Sequence, residues 1–240
     1  MIYIYIIKLC HLFFSCIGCF FRKLLMLRSS KYCAVSIKDV SFIKKHEGVV
    51  VLGNGPSLNE DRQEIKSWVG KKDFVCVNNF CDDELYSILK PNLYVFLDEY
   101  FFSDSAHETW VSRREKTFGI INKETKWEMN IVVPRSANID IIKRGVSNQN
   151  INIFKINTKP LFTRKLSYFQ KWLFDEGFYG PPQINVLIYA IYLSVVANYK
   201  NIIIYGADMS FHNDVRVDQE NNQLYIKYKH FNESDKVEPL

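Results

Sequence analysis

The sequence predicts an α/β domain, a mostly parallel sheet wound on both faces by helices. Three observations predict it. Short apolar runs alternate with helical stretches from residue 48 onward, the pattern of strands each followed by a covering helix. The first run, Val49–Leu52, leads directly into Gly53-Asn54-Gly55-Pro56-Ser57, a turn that brings the chain from a strand into a helix start. Finally, four of the runs end in small or polar residues, as expected where a parallel sheet presents a ligand crevice at the carboxyl ends of its strands. With 240 residues the chain suffices for one such domain and is too short for two comfortable ones. The expected layout is an apolar segment 1–32, a linker 33–47 and a Rossmann-like, doubly wound domain over 48–240.

Taken in order, strands are expected at Val49–Leu52, Phe74–Val77, Leu93–Leu97, Asn130–Val133, Ile151–Phe154 and Ile202–Tyr205. Helices are expected at Leu58–Trp68, Asp83–Leu89, roughly Asp104–Lys116, Ile139–Lys143, Tyr168–Asp175 and Ile184–Asn198. The last of these reads as the longest and most apolar and is expected to pack across the sheet. After Asp208 the chain turns polar, and His212, Asn213, Asp214, Val217, Asp218, Asn221 and Asn222 predict a loop or hairpin. Glu238-Pro239-Leu240 follows with no closing helix or strand expected, the reading of a ragged or truncated end.

The first 21 residues are mostly Ile, Leu, Phe, Tyr and Cys, interrupted by Lys8 and His11, and Arg22, Lys23, Arg28 and Lys31 follow. That length is near the ~20 residues that span a bilayer. The segment is expected to span or lie on the membrane, with Lys8 and His11 snorkelling toward water. Its basic flank would hold the following domain on the cytoplasmic face of the inner membrane. A secretory signal is disfavoured because the basic cluster follows the apolar run.

Hydrophobic residues at 48% and charged residues at 24% are ordinary for a globular protein. The net charge of +5 is mild and sits partly beside the apolar segment, which points to a membrane surface. No basic helical stripe or RNA-binding aromatic signature is present, so nucleic acid is not an expected partner. The six cysteines are Cys10, Cys16, Cys19, Cys33, Cys76 and Cys81. Cys16-Ile17-Gly18-Cys19 has zinc half-site spacing but no second ligand pair, so reduced thiols and no metal are expected.

The candidate site gathers at the strand ends. Gly53 and Gly55 leave no Cβ between backbone amides and a ligand. Ser57-Leu58-Asn59-Glu60 fits a capping box behind Pro56, which would aim a helix N-terminus at an anion. Neither GxGxxG nor GxxxxGK[ST] is present. Asn78 and Asn79 end the second run and offer carboxamides to a base, ribose or sugar hydroxyl. Asp98 ends the third, where Asp98-Glu99 makes no DxD metal clamp. Gly206 and Asp208 end the last. Gln183 and Asn185, at the start of the long apolar helix, would form a second wall. For a general base the candidates are His212 and His230. His11, His46 and His107 read as bystanders.

Val-Leu-Gly-Asn-Gly-Pro-Ser-Leu (51–58), Phe-Val-Cys-Val-Asn-Asn-Phe (74–80) and Tyr-Val-Phe-Leu-Asp (94–98) resemble the opening of bacterial sialyltransferases that modify lipooligosaccharide. The likeness continues weakly through Asn-Tyr-Lys-Asn-Ile-Ile-Ile-Tyr-Gly-Ala-Asp (198–208). The chain also resembles the broader MptE-like group, named for a 6-hydroxymethylpterin pyrophosphokinase. Gly-Ala-Asp-Met-Ser-Phe-His (206–212) is most similar to members of that group from surface-polysaccharide loci. The sialyltransferase likeness implies one Rossmann-like domain, a CMP-sugar donor and no essential metal, with Asn54, Gly55 and Asn78 lining nucleotide and donor sugar and Asp98 touching the donor. The Arg-Ile-Thr-Ser-Gly nucleotide loop of those enzymes is replaced here by Gly-Pro-Pro-Gln-Ile-Asn (180–185). By position, His230 matches their catalytic histidine better than His212.

The expected activity is therefore glycosyl transfer from a nucleotide sugar to a glycan or lipid-linked acceptor in cell-surface polysaccharide or lipooligosaccharide synthesis, without a cofactor. One alternative is an MptE-like pyrophosphokinase using ATP and Mg²⁺, with Asp98 and Asp208 as ligands. The other is a non-catalytic nucleotide-binding protein.

Overall fold

A computed structural model describes residues 44–160, 168–182, 184–208, 215–228 and 236–239. All six expected strands form: β1 Gly48–Leu52, β2 Asp73–Val77, β3 Leu93–Val95, β4 Met129–Pro134, β5 Ile151–Ile156 and β6 Asn201–Tyr205. They pair in parallel in the order β5-β4-β3-β2-β1-β6. The chain lays β2 to β5 outward on one side of β1, then crosses back to set β6 on the other. Strand order therefore reverses at the β1/β6 boundary, the switch point at which open α/β sheets bind ligands.

Side-chain alternation divides the core in two. Val50, Leu52, Phe74, Cys76, Tyr94, Phe96, Ile131 and Val133 face one layer. There α1 Arg62–Ser67, α2 Leu85–Leu89, α3 Glu108–Glu124 and α4 Ile139–Gly145 contribute Ile65, Leu85, Phe118 and Ile142. Val49, Val51, Val75, Val77, Leu93, Val95 and Val132 face the opposite layer, which is covered by Leu187, Tyr189, Ala190 and Leu193 of α6 Val186–Val196. The fold is a Rossmann-like α/β sheet with helices on both faces.

Helix boundaries depart from expectation for local reasons. The stretch after the glycine loop is a 3₁₀ turn, Pro56–Asn59, followed by the six-residue α1. Gly55 occupies the cap position and makes no side-chain cap, so the expected capping box is not formed. Burial of Phe118 and Ile121 carries α3 past Gly119 to 17 residues, so α3 and not α6 is the longest described helix. α6 is held to 11 residues by the Asn185 side chain, which accepts from Leu187 N, and by Asn198, whose φ of 58° turns the chain out. The helix expected at Tyr168–Asp175 forms over those residues, as α5.

The polar tail is a hairpin, β7 Val215–Val217 and β8 Leu224–Tyr228, and β9 Lys236–Pro239 pairs with β8. The absence of a closing strand expected from the sequence is thus corrected. Among the described residues no helix is long and apolar enough to cross a membrane. Segment 1–32 lies outside the described residues.

At the amino edge of the sheet, Asp73 is buried and its carboxylate accepts from Lys45 N (2.8 Å), His46 N (3.1 Å), His46 Nδ1 (2.9 Å) and the Tyr199 hydroxyl (2.8 Å). His46, read as a bystander, is a structural partner that joins the incoming chain to β2 and the end of α6.

Candidate functional site

The loops after β1 and β6 lie against each other at the switch point. Gly53 N donates to Tyr205 O (2.9 Å) and Gly55 N to Gly206 O (3.0 Å). A Cβ on Gly53 would overlap the Gly206 carbonyl oxygen, and one on Gly55 would overlap the Asp208 carboxylate. Gly206 has φ +66° and backs onto the Gly53 carbonyl and Leu58. The glycines are therefore required by backbone packing between two loops, whatever ligand comes near. Asp208 Oδ2 accepts from Ser57 Oγ (3.0 Å) and Ser57 N (3.3 Å). A carboxylate thus sits at the amide the sequence reading reserved for a phosphate, while Pro56 has no N–H to give.

Beyond this contact a row of polar groups runs along the strand ends toward β3. Asn54 Nδ2 reaches toward Val77 O (3.4 Å), and its Oδ1 is buried with no hydrogen-bond partner among the described residues. Asn78 is 8% exposed and takes φ +46°, the left-handed conformation that Asn tolerates. Its amide donates to Val95 O (3.1 Å), its carbonyl accepts from the Tyr94 hydroxyl (2.7 Å), and its Nδ2 donates to Asp98 Oδ2 (2.7 Å). Asn78 Oδ1, like Asn54 Oδ1, is buried without a partner among the described residues. An unmet buried acceptor costs about 1–3 kcal/mol. Two of them lie buried on adjacent strand ends, with the Asp98 carboxylate beside Asn78, a cluster of acceptors that hydroxyl or amino hydrogens would match.

Asn79 does not join this row. In the orientation that matches donors to acceptors, its oxygen accepts from Arg113 Nε (2.8 Å) and the Tyr100 hydroxyl (2.9 Å), and its nitrogen donates to the Thr117 hydroxyl (2.9 Å). Its carboxamide is spent on tying β2 to α3. Tyr94, which fixes both Asn78 O and Cys81 N (2.9 Å), was read only as a strand residue; its polar role follows from burial of a hydroxyl, which the sequence does not announce.

The α6 start forms the second wall. Because α6 connects parallel strands, its N-terminus lies at the carboxyl edge, and Leu187 flanks the Gly53 position. Tyr189 donates to Pro181 O (2.7 Å) and Tyr192 to Phe174 O (2.8 Å), which pins the approach to this helix. Asn185 is spent as the helix cap, accepting from Leu187 N at 2.8 Å. Gln183, His212 and His230 lie outside the described residues.

Asp98 and Asp208 belong to strand ends three steps apart, about 14 Å at ordinary strand spacing. Among the described residues no group of three His, Cys, Asp or Glu side chains converges on a metal position. Cys76 and Cys81 are buried free thiols; burial pushes Cys81 up to about 12 and Cys76 also well up, which disfavours the reactive thiolate of both.

Past Asp98 the edge opens into a cavity of about 450 Å³ between the loops that follow β3 and β4. The polar strand ends singled out in the sequence are those of β1, β2, β3 and β6, and the end of β4 is not among them. The signal was available in Pro134-Arg135-Ser136-Ala137-Asn138, the same kind of small and polar strand end. No protein-family model, curated protein or solved structure matches the chain.

Proposed function

We propose that this chain is a glycosyltransferase of cell-surface glycan synthesis that takes its sugar from a nucleotide sugar. The observation that carries the reading is the pair of buried, partnerless carboxamide oxygens of Asn54 and Asn78 beside Asp98, at the carboxyl edge next to the switch point. Ribose and sugar hydroxyls and exocyclic base amines are the donors such a surface matches. The phosphates are better accommodated at the α6 start than at Ser57, whose amide already faces the Asp208 carboxylate.

In this reading the acceptor hydroxyl oxygen attacks the anomeric carbon and forms the glycosidic bond. The bond from that carbon to the phosphate oxygen breaks, and the nucleotide leaves with the electron pair. An imidazole takes the hydroxyl proton. The candidates for that imidazole are His230 and His212, the latter four residues after Asp208 in the sequence. The apolar segment 1–32 would hold the enzyme at the cytoplasmic face of the membrane, where lipid-linked acceptors reside.

The test is a thermal-shift and hydrolysis screen of nucleotide sugars and ATP, with and without EDTA. The reading expects stabilisation by a nucleotide sugar that EDTA does not remove. Stabilisation by ATP with Mg²⁺ alone would transfer the assignment to pyrophosphate chemistry, and no response to any nucleotide would leave a non-catalytic protein.

A further inference from the structure

We infer that the cavity between the β3 and β4 loops is a seat for a polyhydroxyl ring that is uncharged or amino-substituted, and that it rejects anionic sugars. At about 450 Å³ it falls within the range of about 300–1,000 Å³ common to small-molecule sites. Leu97, Phe102 and Pro134 give it apolar walls, the surface on which the C–H face of a pyranose packs. Ser103 and Ser136 bring hydroxyls, and Glu99 and Asp104 bring carboxylates, acceptors for ring hydroxyls or an ammonium group.

The walls are fixed in advance. Asn138 N donates to Phe102 O (3.3 Å), and Asn138 Nδ2 donates to Asp104 Oδ2 (2.9 Å), which joins the two loops. Arg114 donates to Tyr100 O (3.1 Å) and Ser103 O (2.9 Å), so its guanidinium is used to hold the β3 loop. Arg144 lies 3.9 Å from the Asp104 carboxylate, with both side chains largely exposed, and it is not a lining residue. Arg135 sits between two lining residues but is not itself one; its charge acts on Lys155 of β5, whose proton affinity is lowered by burial and by Arg135. Among the described residues no arginine or lysine lines the cavity, so a carboxylate-bearing ring would meet the carboxylates of Glu99 and Asp104 there without a described lining cation to pair with.

Leu97 and Glu99 flank Asp98, so the cavity adjoins the Asn54–Asn78–Asp98 row. The ring's identity as the sugar to be transferred or accepted rests on the glycosyl-transfer reading; the ring preference does not.

The experiment is saturation-transfer NMR on the full-length chain with the methyl glycosides of glucose, glucosamine, glucuronic acid and N-acetylneuraminic acid, repeated on Ser136→Trp and Glu99→Lys. Saturation transfer is expected from the first two glycosides and not the acids. It is lost in Ser136→Trp, whose melting temperature is checked against the parent. Glu99→Lys is expected to improve the affinity of the glucuronide by about tenfold, the effect of reversing one charge beside a partly exposed ion. Equal or stronger transfer from the acids, transfer that survives Ser136→Trp, or no transfer from any ring would overturn the inference. Nucleotide-sugar thermal shifts on the same samples separate the two readings. Ring binding without a nucleotide shift removes the transferase and keeps the cavity's role, and a nucleotide shift without ring binding does the reverse.

Discussion

Gly53→Ala isolates what the glycine loop is for. If Gly53 serves backbone packing, the substitution harms the ligand-free protein; if it serves only ligand approach, the free protein is indifferent. The added Cβ would overlap the Gly206 carbonyl oxygen and lie 3.0 Å from its carbon, and Leu187 Cδ2 stands 3.5 Å away on another side. The obstacle is backbone, so no rotamer change relieves it, and the two loops must part by on the order of 1 Å in a close-packed region. That weakens the Gly53 N–Tyr205 O and Gly55 N–Gly206 O bonds. Overpacking of this kind costs about 1–3 kcal/mol, which for a chain of this size lowers the melting temperature by roughly 2–12 °C. Gly119→Ala is the control. A Cβ there meets nothing within 4 Å and lies inside α3, so it should stabilise by about 0.5–1 kcal/mol. Differential scanning calorimetry without nucleotide reads both. A Gly53→Ala protein that melts with the parent would refute the loop-packing account.

Asp73→Asn should lower stability in urea titration by about 1–3 kcal/mol, because an amide meets four donors that now face a carboxylate. Asp208→Ala removes the anion beside Ser57 N, so calorimetric titration should register inorganic phosphate binding that is tighter than in the parent. Alkaline pH should destabilise the fold. Cys81 is pushed up to about 12 from an ordinary 9.0, and Cys76, Tyr86 and Tyr94 are raised by burial as well. These groups stay protonated in the native state while the unfolded chain releases their protons. The contribution is lost as pH rises above 9.0 for the cysteines and above 10.0 for the tyrosines, each group then steepening the loss by about 1.4 kcal/mol per pH unit. Urea midpoints flat from pH 8 to 11 would contradict this. Peptide mapping after iodoacetamide at pH 8 should leave Cys76 and Cys81 unlabelled until denaturant is added.

The sheet was legible because its strands are short apolar runs, and every one of the six forms within a few residues of its expected bounds. Their ends were less legible. The β3 run reads through Leu97, yet the strand stops at Val95, where the chain begins the turn that aims Asp98 at Asn78. The composition of Gly53–Ser57 marks the loop but not what lies against it: glycine in a strand–helix turn looks the same whether a phosphate or another backbone is the neighbour. Asn78 and Asn79 are indistinguishable in sequence, and only the positive φ of Asn78 sends one to the crevice and the other under α3. The cavity depends on contacts between Phe102, Asp104 and Asn138, more than thirty residues apart along the chain, which no local pattern encodes.

Asn54→Leu addresses the central claim most directly. Leucine is close in shape and removes a buried acceptor that has no partner among the described residues, while giving up only the long 3.4 Å contact from Nδ2 to Val77 O, so the free protein should hold its melting temperature. The nucleotide-sugar thermal shift should vanish in the same protein, since the acceptor is retained for a ligand donor. A variant that melts markedly lower, or one that keeps the full nucleotide-sugar shift, would contradict the account.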